Sequence, residues 1–276
     1  MTGTRPRGKR AILALAALMP VAAAAQSDPP LWEAGIAAGW GSSPAYPGSE
    51  HRVSRAVAAP WLVYRGPLFR IEDNNIGARL LKTPRVELDV GIGGALPASS
   101  RDVQLRAGMP DLGTLIELGP RLKVRLTDPE AKDQWRLDLP LRAVIEFQGG
   151  AQGRGTIIEP EIKWGRRIAP GWDVSASVGA LWASRRLNSH LYSVAPAYAT
   201  ASRPAYQAQA GSLGSRLGLG VRYQINPDLW LRAGFRLDHY GNHANRASPL
   251  FESRTGVSVG IGLSWTFARS GRAGER

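Results

Sequence analysis

The 276-residue sequence contains no cysteine, which excludes disulfides, thiolate metal sites, a cysteine nucleophile and a lipid-modified N-terminal cysteine. It also lacks the run of about 20 apolar residues that a membrane-spanning helix requires. Histidine occurs only four times without metal-ligand spacing, and there is no phosphate-binding glycine loop or nucleotide fingerprint. We therefore expect no metal, no cofactor and no catalytic residue.

The composition and charge favour a folded protein that meets an anionic surface. Hydrophobic residues make up 43% of the chain, and glycine (32) and tryptophan (9) are abundant. The formal net charge is +13, but the basic residues alternate with apolar ones instead of clustering on one face. This spacing argues against nucleic acid as a partner and favours lipopolysaccharide or murein.

The first 25 residues have the three zones of a secretory signal peptide. A basic segment, Arg5 to Arg10, precedes an apolar stretch from Ala11 to Val21, and Ala23-Ala24-Ala25 precedes Gln26. We predict cleavage within about three residues of Gln26, because small residues suit the peptidase site. Mass spectrometry of the N-terminus of protein recovered from the cell envelope checks this. An intact Met1 there would contradict it.

The rest of the chain alternates apolar and polar residues with period two, as strands do. In the final strand Val257, Val259, Ile261, Leu263, Trp265 and Phe267 share one face, and small or polar residues take the other. The predicted strands are longer than the ~5–6 residues of average globular strands. Tryptophan and tyrosine recur near their ends, as in an interfacial girdle. These features favour an all-β, antiparallel transmembrane β-barrel of the bacterial outer membrane over a soluble β-sandwich.

Alternating short and long links predict twelve strands, with ten as the alternative. The expected short links are 65–67, 82–84, 127–133, 169–171 and 226–228, with a tight turn at 73–75. The expected long links are 41–54, 97–113, 148–154, 185–205 and 241–253. Proline removes a ladder donor, so we expect a bulge or kink at Pro140 and at Pro160. The barrel is assigned to residues 26–267, followed by a basic tail, 268–276. The predicted strands are 31–40, 55–64, 67–73, 75–82, 85–96, 114–126, 134–147, 155–167, 171–184, 206–225, 229–240 and 254–267.

The inward faces carry ions of both signs, which leaves three interpretations open. They are a salt-bridged network that plugs a narrow barrel, a small hydrated pore and a catalytic carboxylate pair. A hydrolase at the rim would need Asp238, His239 or His243 with a serine such as Ser248, but no nucleophile motif surrounds that serine. The expected inward ions are Glu87, Asp89, Glu117, Arg121, Lys123, Arg125, Arg136, Asp138, Arg142, Glu146, Glu159, Glu161, Lys163, Arg222, Arg232, Arg236 and Asp238.

Several segments together resemble the MipA/OmpV family of outer-membrane proteins, from about Trp32 to Phe267. The most specific are the loop Tyr46-Pro47-Gly48-Ser49 and the run Gly108-Met109-Pro110-Asp111-Leu112. The others are Pro60-Trp61-Leu62-Val63-Tyr64-Arg65-Gly66, Glu117-Leu118-Gly119-Pro120-Arg121-Leu122, Pro204-Ala205-Tyr206-Gln207-Ala208 and Gly262-Leu263-Ser264-Trp265-Thr266-Phe267.

The resemblance implies a non-enzymatic outer-membrane protein. In its namesake branch the family implies a scaffold that bridges a murein-degrading lytic transglycosylase and a murein-synthesising penicillin-binding protein. The resemblance assigns no catalytic residue to this sequence. A narrow channel for small solutes and a rim hydrolase stay as alternatives. The chain departs from the family's terminal aromatic residue, because Ala268 to Arg276 follow Phe267, and the barrel assembly machinery would then read an internal strand end.

Overall fold

The computed structural model describes residues 29–67, 69–72, 75–95, 103–147 and 149–274. The predicted signal peptide lies outside these residues. Thirteen strand segments dominate the described chain, and one α-helix, α1 (Arg185–Tyr192), lies between the tenth and the eleventh. The strands are β1 (Trp32–Pro44), β2 (Arg52–Arg65), β3 (Phe69–Glu72), β4 (Asn75–Lys82), β5 (Val86–Ala95), β6 (Thr114–Arg125), β7 (Asp133–Phe147), β8 (Ala151–Ile158), β9 (Glu161–Ala169), β10 (Trp172–Ala183), β11 (Gly211–Asn226), β12 (Leu229–His239) and β13 (Thr255–Arg269).

The strands form one closed antiparallel sheet. Each pairs with its neighbour along the chain, and β13 pairs with β1, where Gly262 lies opposite Gly39. Segments β8 and β9 both pair with β7 and with β10, so they are two parts of a single strand. The wall therefore has twelve strands, as predicted, and the alternative of ten is wrong.

The division between β8 and β9 lies at Pro160. Leu141 pairs with Ile158 and Asp138 pairs with Glu161 in one constant register, so no residue is inserted there. β7 runs unbroken through Pro140, whose carbonyl accepts the Glu159 N–H at 3.4 Å. A bulge at either proline is therefore excluded, and the alternative of a local kink stays a prediction. The missing proline donor interrupts the ladder without shifting it.

The apolar face of the strands points out of the barrel. On β13, Ile261 is 51% exposed, whereas Ser264 is 4% exposed. Large apolar side chains are exposed on nearly every strand, among them Trp40 on β1, Leu139 on β7 and Leu219 on β11. A soluble β-sandwich would bury this face, so the sandwich alternative is wrong. No helix in the described part of the chain has the length and apolar content needed to cross a membrane.

The two ends of the barrel differ. One end, here called the turn end, carries the short links 83–85, 126–132, 170–171 and 227–228 together with the described termini. The other, the loop end, carries the long links 45–51, 96–113, 184–210 and 240–254. The link after β7 was predicted as a long loop, 148–154, but it spans only 148–150, and Gly149 and Gly150 take positive φ angles there. Strand β11 begins at Gly211 and not at residue 206.

The chain ends meet beside the seam between β13 and β1. Strand β13 extends to Arg269, two residues beyond Phe267. After it, the Leu31 N–H donates to the Arg272 carbonyl at 2.8 Å, and the Gly274 N–H donates to the Pro29 carbonyl at 2.7 Å. Most of the segment assigned to the tail is thus hydrogen-bonded to the strand that begins the barrel.

Candidate functional site

The loop end is filled by a cap, which comprises residues 45–51, 103–113, 184–210 and 240–254. Its centre is α1, whose leucines at 187 and 191 lie one turn apart on the same helix face. With Tyr192 they join the main buried apolar cluster, which includes the wall residues Val144, Ile157, Leu181 and Leu213. The cap is therefore a small hydrophobic core within the mouth of the barrel.

Hydrogen bonds tie the cap loops to one another. Tyr192 donates to the Pro47 carbonyl at 2.7 Å, and Tyr46 donates to the Leu250 carbonyl at 2.8 Å. The buried Arg106 donates to the Leu191 carbonyl at 3.0 Å. Burial raises the pKa of Tyr46 to about 12, so its hydroxyl keeps the donated proton at neutral pH. These bonds join all four loop segments into one unit.

His243 lies buried at the base of the cap. Its Nδ1 accepts the Asn245 N–H at 2.9 Å, and its ring meets those of Tyr192 and Phe251 at centroid distances of 4.6 and 5.0 Å. Burial, with a smaller contribution from Arg246, lowers the pKa of His243 from 6.5 to about 4. The imidazole is therefore neutral at the pH of the cell envelope.

This burial predicts a cap that loosens in acid. The unfolded segment takes a proton near pH 6.5 and the folded one only near pH 4, so cap stability falls as pH drops through this window. Amide hydrogen exchange of residues 240–254, corrected for the pH dependence of the intrinsic exchange rate, should show lower protection factors at pH 5 than at pH 7.5. His190 shifts in the same direction, so His243→Gln, whose amide accepts the Asn245 N–H without titrating, is the control. An equal acid response in wild type and variant would contradict this account.

The residues considered for a rim hydrolase do not form a catalytic arrangement. The Ser248 hydroxyl is buried and donates to the Tyr192 carbonyl at 2.7 Å. The Asp238 carboxylate accepts from Arg216 Nε at 2.7 Å, and His239 is exposed. His243 instead accepts a backbone N–H. Among the described residues, no cluster of three or more His, Asp or Glu side chains could hold a metal ion.

A chain of ion pairs follows the inner wall of the barrel from β6 to β12, beneath the cap, and is here called the ionic layer. Arg142 on β7 contacts Glu117 at 2.9 Å and Glu159 at 3.1 Å. Arg216 on β11 contacts the same Glu159 at 3.1 Å and Asp238 at 2.7 Å. Glu159 lies at the break between β8 and β9, and it thereby links two strands that are not neighbours in the sheet.

Further ion pairs extend the layer along β4 to β9. Arg121 donates to both oxygens of Asp89, at 3.1 and 2.7 Å, and Lys123 contacts Asp89 and Glu87, each at 2.7 Å. The space bordered by Arg142, Glu159 and Arg216 is about 50 Å³, which holds little more than water. The expected salt-bridged network is thus present in the described part of the lumen, from Asp238 near the loop end to Lys123 near the turn end.

The turn half of the lumen is open. Two adjoining cavities of about 1290 and 1060 Å³ share the lining residues Lys163, Ser175 and Arg232, and together they form the turn-end cavity. It reaches the link 126–132, where Pro129 and Lys132 border it. Inside it the Arg222 guanidinium lies over the Trp230 ring at 4.7 Å. The lumen is therefore a blind, water-accessible space closed towards the loop end.

The cap is the part of the site that sequence reasoning missed. Glu146 was expected only as one inward ion, yet it anchors the cap: it accepts the Gly113 N–H at 2.6 Å and contacts His190 at 3.1 Å. The sequence predicts a polar link at 185–205, where the structure has α1. Leu187 and Leu191, four residues apart, were the available signal for a helix there.

Comparison with known proteins gives one strong match. The sequence matches the family described as MltA-interacting protein MipA over residues 36–267. A comparison with curated proteins finds no match.

Three solved structures with similar folds are distant in sequence. The NanC porin is 9% identical, with 85% of this chain and 98% of that chain covered and a TM-score of 0.39. A bacterial polysaccharide outer membrane secretin is 8% identical, with 86% and 99% covered and a TM-score of 0.42. The translocator domain of the autotransporter NalP from Neisseria meningitidis is 10% identical, with 86% and 88% covered and a TM-score of 0.41. Likenesses this weak carry no argument about function.

The family match covers most of the chain, and it coincides with a closed, outward-apolar barrel. This protein resides in the outer membrane and belongs to the MltA-interacting protein MipA family.

Proposed function

We propose that this protein is a non-enzymatic scaffold that holds a murein-degrading lytic transglycosylase and a murein-synthesising penicillin-binding protein at the outer membrane. The observation that carries the proposal is the closed lumen, in which the cap fills the loop end of the described barrel and the ionic layer lies beneath it. A barrel closed in this way can bind partner proteins on its surface but does not conduct solutes through its lumen. The family description, which names an MltA-interacting protein, supports the same class of partner.

The orientation of the barrel decides which surface such partners meet. Outer-membrane barrels place short turns in the periplasm and long loops outside. The turn end is then periplasmic, and the cap faces the medium beside lipopolysaccharide. The outward apolar face contacts lipid. Strand β13 carries the signal for the assembly machinery internally, at Phe267.

This orientation predicts which links are accessible on whole cells. A protease-cleavable tag inserted in 97–113 or 185–205 should be cut by external protease. A tag at 169–171 or 226–228 should be protected until the outer membrane is permeabilised. The opposite pattern would place the turn end outside and would remove the periplasmic docking surface.

The link 126–132 is the best-built docking surface of the turn end. It is the longest described link there, and Leu126 exposes 47% of its surface. The Gln134 amide donates to three of its carbonyls, those of Asp128, Pro129 and Ala131, at 3.1, 3.0 and 2.6 Å. A protruding turn held rigid in this way loses little conformational freedom when a partner binds.

Site-specific crosslinking tests the scaffold. A photo-crosslinking residue at Glu130 should capture the lytic transglycosylase in living cells. The same residue at the exposed Ala199 in the cap is the matched control, and it should not capture the enzyme. Capture from position 199 alone, or from neither position when both proteins are present, would contradict the proposal.

The size of the turn-end cavity favours a second candidate, a narrow channel for small solutes. Conduction would require the cap and the ionic layer to move aside. Planar-bilayer recording separates the two: the scaffold predicts a closed barrel at moderate voltage, whereas a channel gives stepwise conductance.

A further inference from the structure

The turn-end cavity is strongly basic. Among the described side chains that line it and face inward, the only carboxylates are Glu161 and Asp173. Asp173 already contacts two cations, Arg167 at 3.0 Å and Arg222 at 2.7 Å. Asp138 offsets part of the charge of Arg136 and Lys163, and Glu159 and Asp238 offset that of Arg216. The arginines still outnumber these carboxylates within a confined space, where walls of low dielectric constant concentrate the field. The inward cations are Arg125, Arg136, Lys163, Arg167, Arg216, Arg222, Arg232 and Arg236.

The arginines are concentrated on one wall. Arg232 and Arg236 lie on the same face of β12, four residues apart, with Gly234 between them. On the neighbouring strand β11, Arg222 lies opposite Arg232, and Gly218 lies opposite Arg236. Gly218 and Gly234 add no side chain between these arginines, so a ligand that enters the cavity meets the guanidinium groups and not intervening side chains.

On the other side of β12, the neighbouring strand β13 presents inward residues with small or no side chains. Gly260 and Gly262 on β13 pair with Gly234 and Arg232, respectively. A Cβ on Gly262 would stand 3.5 Å from the Ala38 carbonyl oxygen, and one on Gly260 would stand 3.6 Å from that of Trp40, both ordinary contacts. Neither glycine is required by backbone conformation or by packing. Their effect is to keep the space before the arginines empty.

We propose that the turn-end cavity is a binding site for a multiply charged anion that carries carboxylate or phosphate groups and enters from the turn end. A guanidinium donates two parallel hydrogen bonds to either group. The cavity exceeds the ~300–1000 Å³ of most small-molecule sites, so it accommodates a ligand with several such groups. This site goes beyond the scaffold role and does not depend on it.

Calorimetric titration of the purified full-length barrel in a zwitterionic detergent tests the site. Tripolyphosphate and citrate are the probes, and glucose is the uncharged control. Wild type should bind at least one anion saturably, and raising the salt concentration should weaken the binding. The double variant Arg232→Gln, Arg236→Gln should bind at least tenfold more weakly. The matched control is Arg85→Gln, Arg269→Gln, which removes two exposed arginines at the same end outside the cavity and should leave the affinity unchanged.

A second variant distinguishes loss of anion binding from loss of folding. Gly260→Asp places a carboxylate before the arginines where the Cβ has room, so it should fold and still abolish anion binding. Binding of only tripolyphosphate would assign phosphate as the ligand group, and binding of only citrate would assign carboxylate; each supports the proposal. Failure of wild type to bind both anions, or equal affinity in wild type and the two cavity variants, would overturn it. Crosslinking from Glu130 reports on the scaffold independently.

Discussion

The Glu159→Ala variant is expected to lose about 3 kcal/mol of unfolding free energy, because one substitution leaves two lumen arginines without this carboxylate. Glu159 contacts Arg142 and Arg216, each at 3.1 Å. Removing one partner of a buried pair costs more than removing both, since the remaining charge stays desolvated. Urea unfolding in detergent, followed by the electrophoretic shift between folded and unfolded barrel, measures the loss.

A matched control separates lumen charge from surface charge. The pair Arg85–Asp128 has a similar separation, 3.0 Å, but both side chains are largely exposed. Because exposed ion pairs contribute ~1 kcal/mol or less, Asp128→Ala should change the unfolding free energy little. Equal losses of unfolding free energy in Glu159→Ala and Asp128→Ala would mean that water screens the charges of the ionic layer as fully as it screens charges on the protein surface. The lumen would then not be sealed at that level.

The Ile261→Arg variant is expected to insert poorly, with a loss of about 2–4 kcal/mol of folding free energy in the membrane. Ile261 lies at the middle of β13 and points outward, where it meets hydrocarbon. A guanidinium at that depth loses its hydration without gaining a partner. Heat-modifiable folded protein in outer-membrane fractions, normalised to total synthesis, measures the effect.

The adjacent residue supplies the control for Ile261. Ile261→Asp and Gly260→Asp introduce the same carboxylate one position apart, towards lipid and towards the basic lumen, respectively. Only the first should impair folding. Spin labels at 259 and 261 should be relaxed by oxygen dissolved in lipid, and labels at 260 and 262 should not. Labels at 259 and 261 without lipid contact would refute the membrane-facing assignment.

The wall of the barrel could be predicted from sequence because the alternation of apolar and polar residues can be seen within each strand. Period-two alternation fixes which face each residue takes, so the strands, their outward apolar face and the ion-rich lumen followed from the pattern. Strand ends were less accurate, as at β11, because residues 206–210 continue the spacing of a strand while they pack in the cap. The register between β7 and β8–β9 stays constant past the two prolines, where the Glu159 N–H donates to the Pro140 carbonyl. The sequence of each strand alone does not show this pairing.

The cap could not be predicted because its contacts join distant segments. Tyr46 and Leu250, or Tyr192 and Pro47, meet only after the barrel has brought their loops together. Polar loop sequences do not show which carbonyl a buried Arg106 will satisfy. The low pKa of His243 likewise arises mainly from burial, which requires Tyr192 of another cap segment to pack against Tyr240, His243 and Phe251.

The seam between β13 and β1 sets the order in which this barrel can fold. Trp40 pairs with Ile261 and Gly41 pairs with Gly260, so closure joins residues from opposite ends of the chain. Such a pairing costs more loop-closure entropy than any hairpin, and it must form late. Until the last strand arrives, β1 and β12 are open edges that can pair with other chains. A product truncated before Thr255 therefore exposes two unpaired edges and becomes a substrate for aggregation or proteolysis.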